Sequence, residues 1–390
     1  MLDGEIGTAA LARIEEAQDE HLRARLNAID WNFGERRCAS PLESVHPYPA
    51  KFIGDIPRSF IEAIGLPKGT IILDPFCGSG ATLVESQRLG REAVGIDLNP
   101  IACLLSRVKC APLPHDIQKT WADLVLEARC SPKNCDLSGE IPNLDHWFQP
   151  QVTRALAALV GGIRKSTPNS MHDFLFAALS SIIVRVSNQD SDTRYAAVAK
   201  TVSRDDVFDG FENSCSRLEK SLRQRDYPLT TSRVIQGDTL ATAPESIGRN
   251  VGLVVTSPPY PNAYEYWLYH KYRMWWLGYD PIEVREHEIG ARPHYFKKNH
   301  QTEHDFIGQM ERLFNLLSET IVPGGHACFV IGRSKIHGRL IDNAEILREA
   351  AHKLGFSRVY ERERIIRSTR KSFNLSHANI KTETLLVFRA

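Results

Sequence analysis

Two periodicities alternate along this chain and divide it into three regions. Residues 5–30 repeat apolar positions at helical spacing among Glu, Arg and Asp, which predicts an amphipathic helix. The segment 46–66 opens as a Pro-rich loop and turns helical from about Pro57. TIILDPFCGSG then predicts a buried strand entering a tight turn, ATLVESQRLG a helix stopped by Gly90, and EAVGIDLN a second strand, together a βαβ start. Residues 112–233 differ: PQVTRALAALVGGIRKS, SMHDFLFAALSSIIVRVSN and FENSCSRLEKSLRQR predict helices, and strand patterns are hard to find there. Short apolar strands resume in SRVIQGD, NVGLVVTSPPY, GGHACFVIG, FSRVYERERI and ETLLVFRA, with the helix FIGQMERLFNLLSETI among them. The expected architecture is α/β with a mostly parallel sheet. It comprises a helical extension over 1–45, a sheet domain built from 46–111 and 234–390, and a helical insertion over 112–233.

Composition narrows the class without naming a partner. At 42% hydrophobic and 24% charged, the 390 residues read as an ordinary globular chain, long enough for one elaborated domain or two. No run of about 18 apolar residues predicts a membrane span, and the charged start lacks the apolar centre of a signal peptide, so a cytoplasmic location is expected. The formal net charge of +1 argues neither for nor against nucleic acid, because local basic stripes decide that affinity. Eight cysteines form no C-x-x-C pair, so no zinc ribbon is expected and the thiols are read as reduced. Cys130 and Cys135, the nearest pair, would need ligands from elsewhere. His294, His300 and His304 match no standard metal spacing, and no metal is expected.

Three acids at predicted strand ends carry the first chemistry. Asp74 precedes Pro75-Phe76-Cys77-Gly78-Ser79-Gly80, whose glycines let a backbone approach a ligand. A phosphate would not tolerate that carboxylate beside it, and no Gly-Lys-Ser/Thr follows to make a phosphate loop. Asp97 ends the second strand, where a carboxylate suits ribose hydroxyls or simply caps a helix; Leu98 and Asn99 follow it. Asp238, with Thr239, ends the third, where it would accept from an adenine amino group or open a turn.

Ser257-Pro258-Pro259-Tyr260 follows the apolar run Val254-Val255-Thr256. Two prolines stiffen the backbone and remove its N–H donors while leaving carbonyl acceptors. An exocyclic base amine is a poor nucleophile, because its lone pair is delocalised into the ring. Acceptors at Ser257 and the Pro258 carbonyl would hold its two hydrogens and favour a pyramidal nitrogen, and Tyr260 offers a face for an extruded base. The plain alternative is a Pro-rich turn closed by a core tyrosine.

Together these segments resemble the amino-methyltransferases that modify cytosine N4 or adenine N6 in DNA. DPFCGSG, GIDLNP, GDT and TSPPY are similar to motifs I to IV of that family. HPYPAKF, opening at His46, resembles the segment that closes over the methionine end of the cofactor, so Tyr48, Pro49, Lys51 and Phe52 become pocket candidates. The resemblance covers about 46–110 and 233–390. It implies a Rossmann-like class I methyltransferase fold with a seven-stranded sheet, S-adenosyl-L-methionine as cofactor, DNA as substrate and a cognate restriction endonuclease as partner. Serine before Pro-Pro-Tyr points to cytosine N4, with adenine N6 the nearer alternative. Cytosine C5 chemistry needs a nucleophilic cysteine in a Pro-Cys context, which is absent, and Cys77 reads as a small packing residue.

The motif order X, I, IV is that of the alpha-like group, whose recognition region lies between motifs III and IV. Here Asp238 and Ser257 are close and the insertion sits earlier, so the candidates for target recognition are that insertion and the aromatic, basic stretch 264–304. Lys271, Arg273, Arg292, Lys297 and Lys298 in that stretch are read as nucleic-acid contacts, and Trp267, Trp275 and Trp276 as core. A second basic run, Arg362, Arg364, Arg367, Arg370 and Lys371, either flanks the substrate cleft or is a solvated surface. An RNA guanine-N2 enzyme is the more distant alternative; such enzymes usually carry an N-terminal RNA-binding domain, and about 45 residues precede His46. A non-catalytic protein keeping the fold is disfavoured by the intact acid, glycines and Ser-Pro-Pro-Tyr.

Overall fold

The computed structural model describes residues 2–34, 40–49, 52–130, 141–192, 194–261, 264–296, 300–366 and 382–390. Seven strands form the central sheet: β1 Ile71–Asp74, β2 Ala93–Asp97, β3 Ser232–Gln236, β4 Val251–Thr256, β5 Ile321–Gly332, β6 Ser357–Ile365 and β7 Thr382–Arg389. Their order is β6-β7-β5-β4-β1-β2-β3. The β1–β2, β1–β4, β2–β3 and β4–β5 pairs are parallel, and β7 runs antiparallel to both β5 and β6. The chain reverses its direction of travel across the sheet between β3 and β4, so β1 and β4 become neighbours. A crevice at the carboxyl ends of such strands is where open α/β sheets bind ligands.

Alternation along the strands builds a core on each face. Ile72, Leu253, Val255, Cys328 and Leu385 face one apolar cluster. Leu73, Val94, Val254, Phe329 and Leu386 face the other, with Leu313, Phe314 and Leu347 from the helices at Glu303–Thr320 and Asn343–Lys353. Among the described residues of 112–231 the regular structure is helical apart from a small hairpin pairing Gln189–Ser191 with Arg194–Ala197. Its helices at Pro150–Ser166, Asn169–Val186 and Arg204–Arg223 bury Leu156, Leu179 and Phe211 in the first cluster, continuous with the core under the sheet. The N-terminal helix Leu2–Asn27 lies along the sheet edge, where Arg23 Nε donates to the Val359 carbonyl at 2.9 Å.

The second helix begins at Asp55 rather than near Pro57, because proline is tolerated in a first helical turn. Among the described residues no helix is long and apolar enough to cross a membrane, and no group of three or more His, Cys, Asp or Glu side chains is arranged to hold a metal.

Candidate active site

The turn after β1 is held open by its neighbours. Asp74, 2% exposed, accepts from Thr256 Oγ1 at 2.7 Å and from the Phe76 N–H at 3.1 Å. Thr256 is the last residue of β4, so this bond ties the β1 end to the start of Ser257-Pro258-Pro259. Gly78 has φ +49° and donates its N–H to Asp97 Oδ2 at 2.8 Å, linking the turn to β2. Gly80 has φ +84°, and a Cβ there would lie 2.7 Å from Ser106 Oγ, so only glycine fits. Ser106 Oγ and Lys109 Nζ satisfy the Gly78 and Ser79 carbonyls at 2.8 and 2.7 Å.

Asp97 spends one hydrogen bond per oxygen on backbone, to Gly78 N–H and to Asn99 N–H at 2.8 Å, leaving lone pairs for a ligand. Asn99 caps the helix Pro100–Cys110 through Ile101 N–H. At the β3 end Asp238 accepts from Leu240 N–H at 2.9 Å, and the Thr239 hydroxyl donates to the Pro75 carbonyl. Burial raises the carboxyls of Asp74 and Asp97 to about 6, against the lowering effect of their hydrogen bonds.

These strand ends open into one cleft. It is lined by the predicted residues Tyr48, Phe52, Asp74, Phe76, Gly78, Asp97, Leu98, Asn99, Asp238, Thr239, Ser257 and Pro259. Pro49, Pro75, Gly80, Pro258 and Tyr260 stand outside the lining. Pro75 and Gly80 are buried in the turn, and Pro258 is buried behind Ser257. Tyr260 packs half-buried against the second apolar cluster. Cys77, read from sequence as packing only, also reaches the cleft wall.

Sequence reasoning missed the opposite wall: Tyr266, Val284, His287, Glu288 and Ile289. Glu288 is 7% exposed, and its two carboxylate oxygens accept from the N–H groups of Tyr266 and Trp267 at 2.9 and 2.7 Å. It caps from a distance the helix Tyr266–Leu277, whose own N-cap residue Glu265 offers no side-chain bond. Tyr48 lies stacked between Tyr266, at 5.9 Å, and His270, at 4.9 Å, one helical turn apart. An added Cβ at Gly78 would lie 3.6 Å from Tyr48 Oη, so this aromatic stack covers the glycine turn.

The basic candidates separate. Arg273 is corrected: it is 1% exposed and donates to the Ser180 and Tyr269 carbonyls and to Asp192, so its charge is spent inside the protein and no phosphate reaches it. Its helix turns that position toward Asn169–Val186, which composition could not show. Arg364 is likewise buried and paired with Glu383 at 3.0 Å. Lys271 Nζ lies 4.6 Å over the Trp275 ring and bonds the Tyr195 hydroxyl at 3.4 Å. Arg292 is exposed, its guanidinium over the Phe296 ring at 5.3 Å. Trp267 and Trp276 are core, at 7% and 4% exposure. Lys51, Lys297, Lys298, Arg367, Arg370 and Lys371 lie outside the described residues.

Comparison with known proteins adds to this geometry. Residues 16–107, which include Asp74, the glycine turn and Asp97, match the sequence model of the DNA methylase family of N6/N4 type. The chain is 27% identical over 238 residues to Type II methyltransferase M.MvaI of Kocuria varians, covering 55% of this chain and 52% of that protein. It is 22% identical over 282 residues to Type II methyltransferase M.BsoBI of Geobacillus stearothermophilus, covering 64% and 55%. The matches thus span about half the length of these relatives. Among solved structures, a Thermus thermophilus protein described as a DNA modification methylase, complexed with S-adenosyl-L-methionine, is 20% identical over 38% of this chain and 48% of its own, with a TM-score of 0.22.

Proposed function

We propose that this chain, a member of the N6/N4 DNA methylase family, transfers a methyl group from S-adenosyl-L-methionine to the exocyclic N4 amine of cytosine in DNA. One observation carries the reading. The ligand-binding turn at Gly78 and the loop at Ser257 and Pro259 line a single cleft, and the Thr256–Asp74 bond fixes one against the other.

The cleft suits the cofactor. Asp74 is a buried carboxylate and Asp97 a half-buried one, neither with a cationic side chain in ion-pair contact among the described residues, a costly state unless a cation comes to them. In this reading Asp74 would meet the ammonium of the methionine end, Asp97 the ribose hydroxyls and Asp238 the adenine amine, and Tyr48 and Phe52 would cover the donor. When bound, the cofactor supplies an electrophilic methyl on a sulfonium. The chain's own work is positioning. Ser257 Oγ, on the cleft wall, would accept an amine hydrogen, with the Pro258 carbonyl behind it the candidate acceptor for the other, leaving the nitrogen lone pair free to face the methyl group that the cofactor would supply. The amine proton leaves through the Ser257 acceptor to solvent. Holding two reactants in a productive pose supplies up to about 7–11 kcal/mol of such a barrier.

The base must leave its stack to reach this cleft. Target reading is assigned to the insertion 112–233 or the aromatic stretch after Tyr264. The Type II names of the relatives support a restriction-modification role with a cognate endonuclease. The choice of cytosine rests on serine before Pro-Pro-Tyr. The test is to incubate the protein with labelled cofactor and a mixture of DNA and RNA, digest, and identify the methylated nucleoside. N4-methyldeoxycytidine is expected. N6-methyldeoxyadenosine would move the assignment to the other base, and label confined to RNA would overturn the substrate class.

A further inference from the structure

The cleft holds three carboxylates, the buried Asp74 and Glu288 and the half-buried Asp97. Two of them belong to strand ends. Glu288 comes from the opposite wall and stands beside Tyr48 and Tyr266, whose stacked rings cover the glycine turn. A buried carboxylate held only by backbone N–H groups, next to aromatic faces, is a receptor for a cation. The methyl donor carries two positive groups, an ammonium and a sulfonium, and one carboxylate. After transfer its demethylated thioether product keeps the ammonium and loses the sulfonium charge. Asp74 is already assigned to the ammonium and Asp97 to the ribose.

On the functional reading given above, we infer that Glu288 is the residue by which the cleft selects the positively charged sulfonium donor over its uncharged thioether product. The groups facing Glu288 leave that role to it. Asp97 and Glu265 act on it as like charges, Tyr48 and Tyr266 are neutral phenols, and no cationic side chain among the described residues forms an ion pair with it. His287, exposed on the rim, is its chain neighbour, and Arg292 acts on Glu265. Burial first, then the charges of Glu265 and Asp97, push the Glu288 carboxyl up to about 8. A cation arriving beside it displaces that proton, whereas a neutral sulfur does not.

The experiment is calorimetric and needs no turnover. Affinities of the whole protein for S-adenosylmethionine and for S-adenosylhomocysteine are measured from pH 6 to 9, in the wild type and in Glu288→Gln. The wild type is expected to prefer the sulfonium compound, and the preference to fall at least about tenfold in Glu288→Gln. The thioether is the internal control, because damage to the capped helix weakens both ligands alike. Equal losses for both would make Glu288 a structural cap and overturn the inference. Should the variant fail to fold, the wild type alone decides. Between pH 6 and 8 affinity for the sulfonium compound must rise more steeply than that for the thioether, and equal slopes refute the role. Binding of neither ligand would instead overturn the functional reading itself.

Discussion

Thr256 donates its hydroxyl to Asp74 at 2.7 Å, joining the last residue of β4 to the last residue of β1. Both side chains are buried, at 0% and 2% exposure. The bond sets the distance between the glycine turn that begins at Pro75 and the loop that begins at Ser257. Thr256→Val keeps the shape but leaves a buried carboxylate oxygen short of a donor, which should cost about 1–3 kcal/mol of unfolding free energy. Urea titration checks this; an unchanged midpoint would show that the bond is dispensable.

Asp97 accepts from the Gly78 and Asn99 N–H groups at 2.8 Å, and the proposed function adds the cofactor ribose. Asp97→Ala removes a charge-assisted acceptor and should weaken cofactor binding by about 1.5–3 kcal/mol. Titration calorimetry is the check, and undiminished affinity would remove Asp97 from the site.

Gly290 lies against the Ser257–Tyr260 loop with φ +77°, and an added Cβ would sit 2.5 Å from the Tyr260 carbonyl oxygen. Gly290→Ala therefore imposes both a left-handed backbone strain and a collision with backbone that cannot swing aside. A loss of about 1–3 kcal/mol follows, read as a lowered melting temperature. A variant melting with the wild type would mean that the 288–290 segment is not packed on the loop.

The carboxyls of Asp74 and Asp97 are raised from 3.8 to about 6, and that of Glu288 from 4.5 to about 8, by burial. The folded, ligand-free protein therefore holds these protons more tightly than the unfolded chain. By linkage its stability is greatest below about pH 4 as far as these groups decide, falls as pH rises toward 8, and levels off above. Thermal melts from pH 5 to 9 should show this decline. Cofactor should reverse it, because the bound cation favours the charged carboxylates. A ligand-free protein that gains stability from pH 6 to 8 would contradict the raised values.

Much of the cleft was legible before the structure because its floor is local in sequence. An acid at a strand end, glycines in the next turn and a Pro-Pro loop after an apolar strand each sit within a few residues of the element that aims them. Asp74, Asp97 and Ser257 fall into this class, and so does the seven-strand pattern. The far wall is of another kind. Glu288 and Tyr266 meet across 22 positions only because the helix Tyr266–Leu277 folds back on Pro281–His287, and neither residue lies in a recognisable motif. Arg273 and Lys271 look alike in a basic, aromatic stretch, yet two positions on a helix turn one into the core and leave the other over a tryptophan face. Charge composition reports neither direction.

The proposed function requires the loop and the turn to work as one site, and Ser257→Ala tests that most directly. Cofactor affinity and methyl transfer to DNA are measured on the same preparation. Affinity is expected within about twofold of the wild type and turnover lowered by about 10²–10³, the loss typical of removing one preorganised polar group from a reacting centre. Turnover equal to the wild type would contradict a shared site.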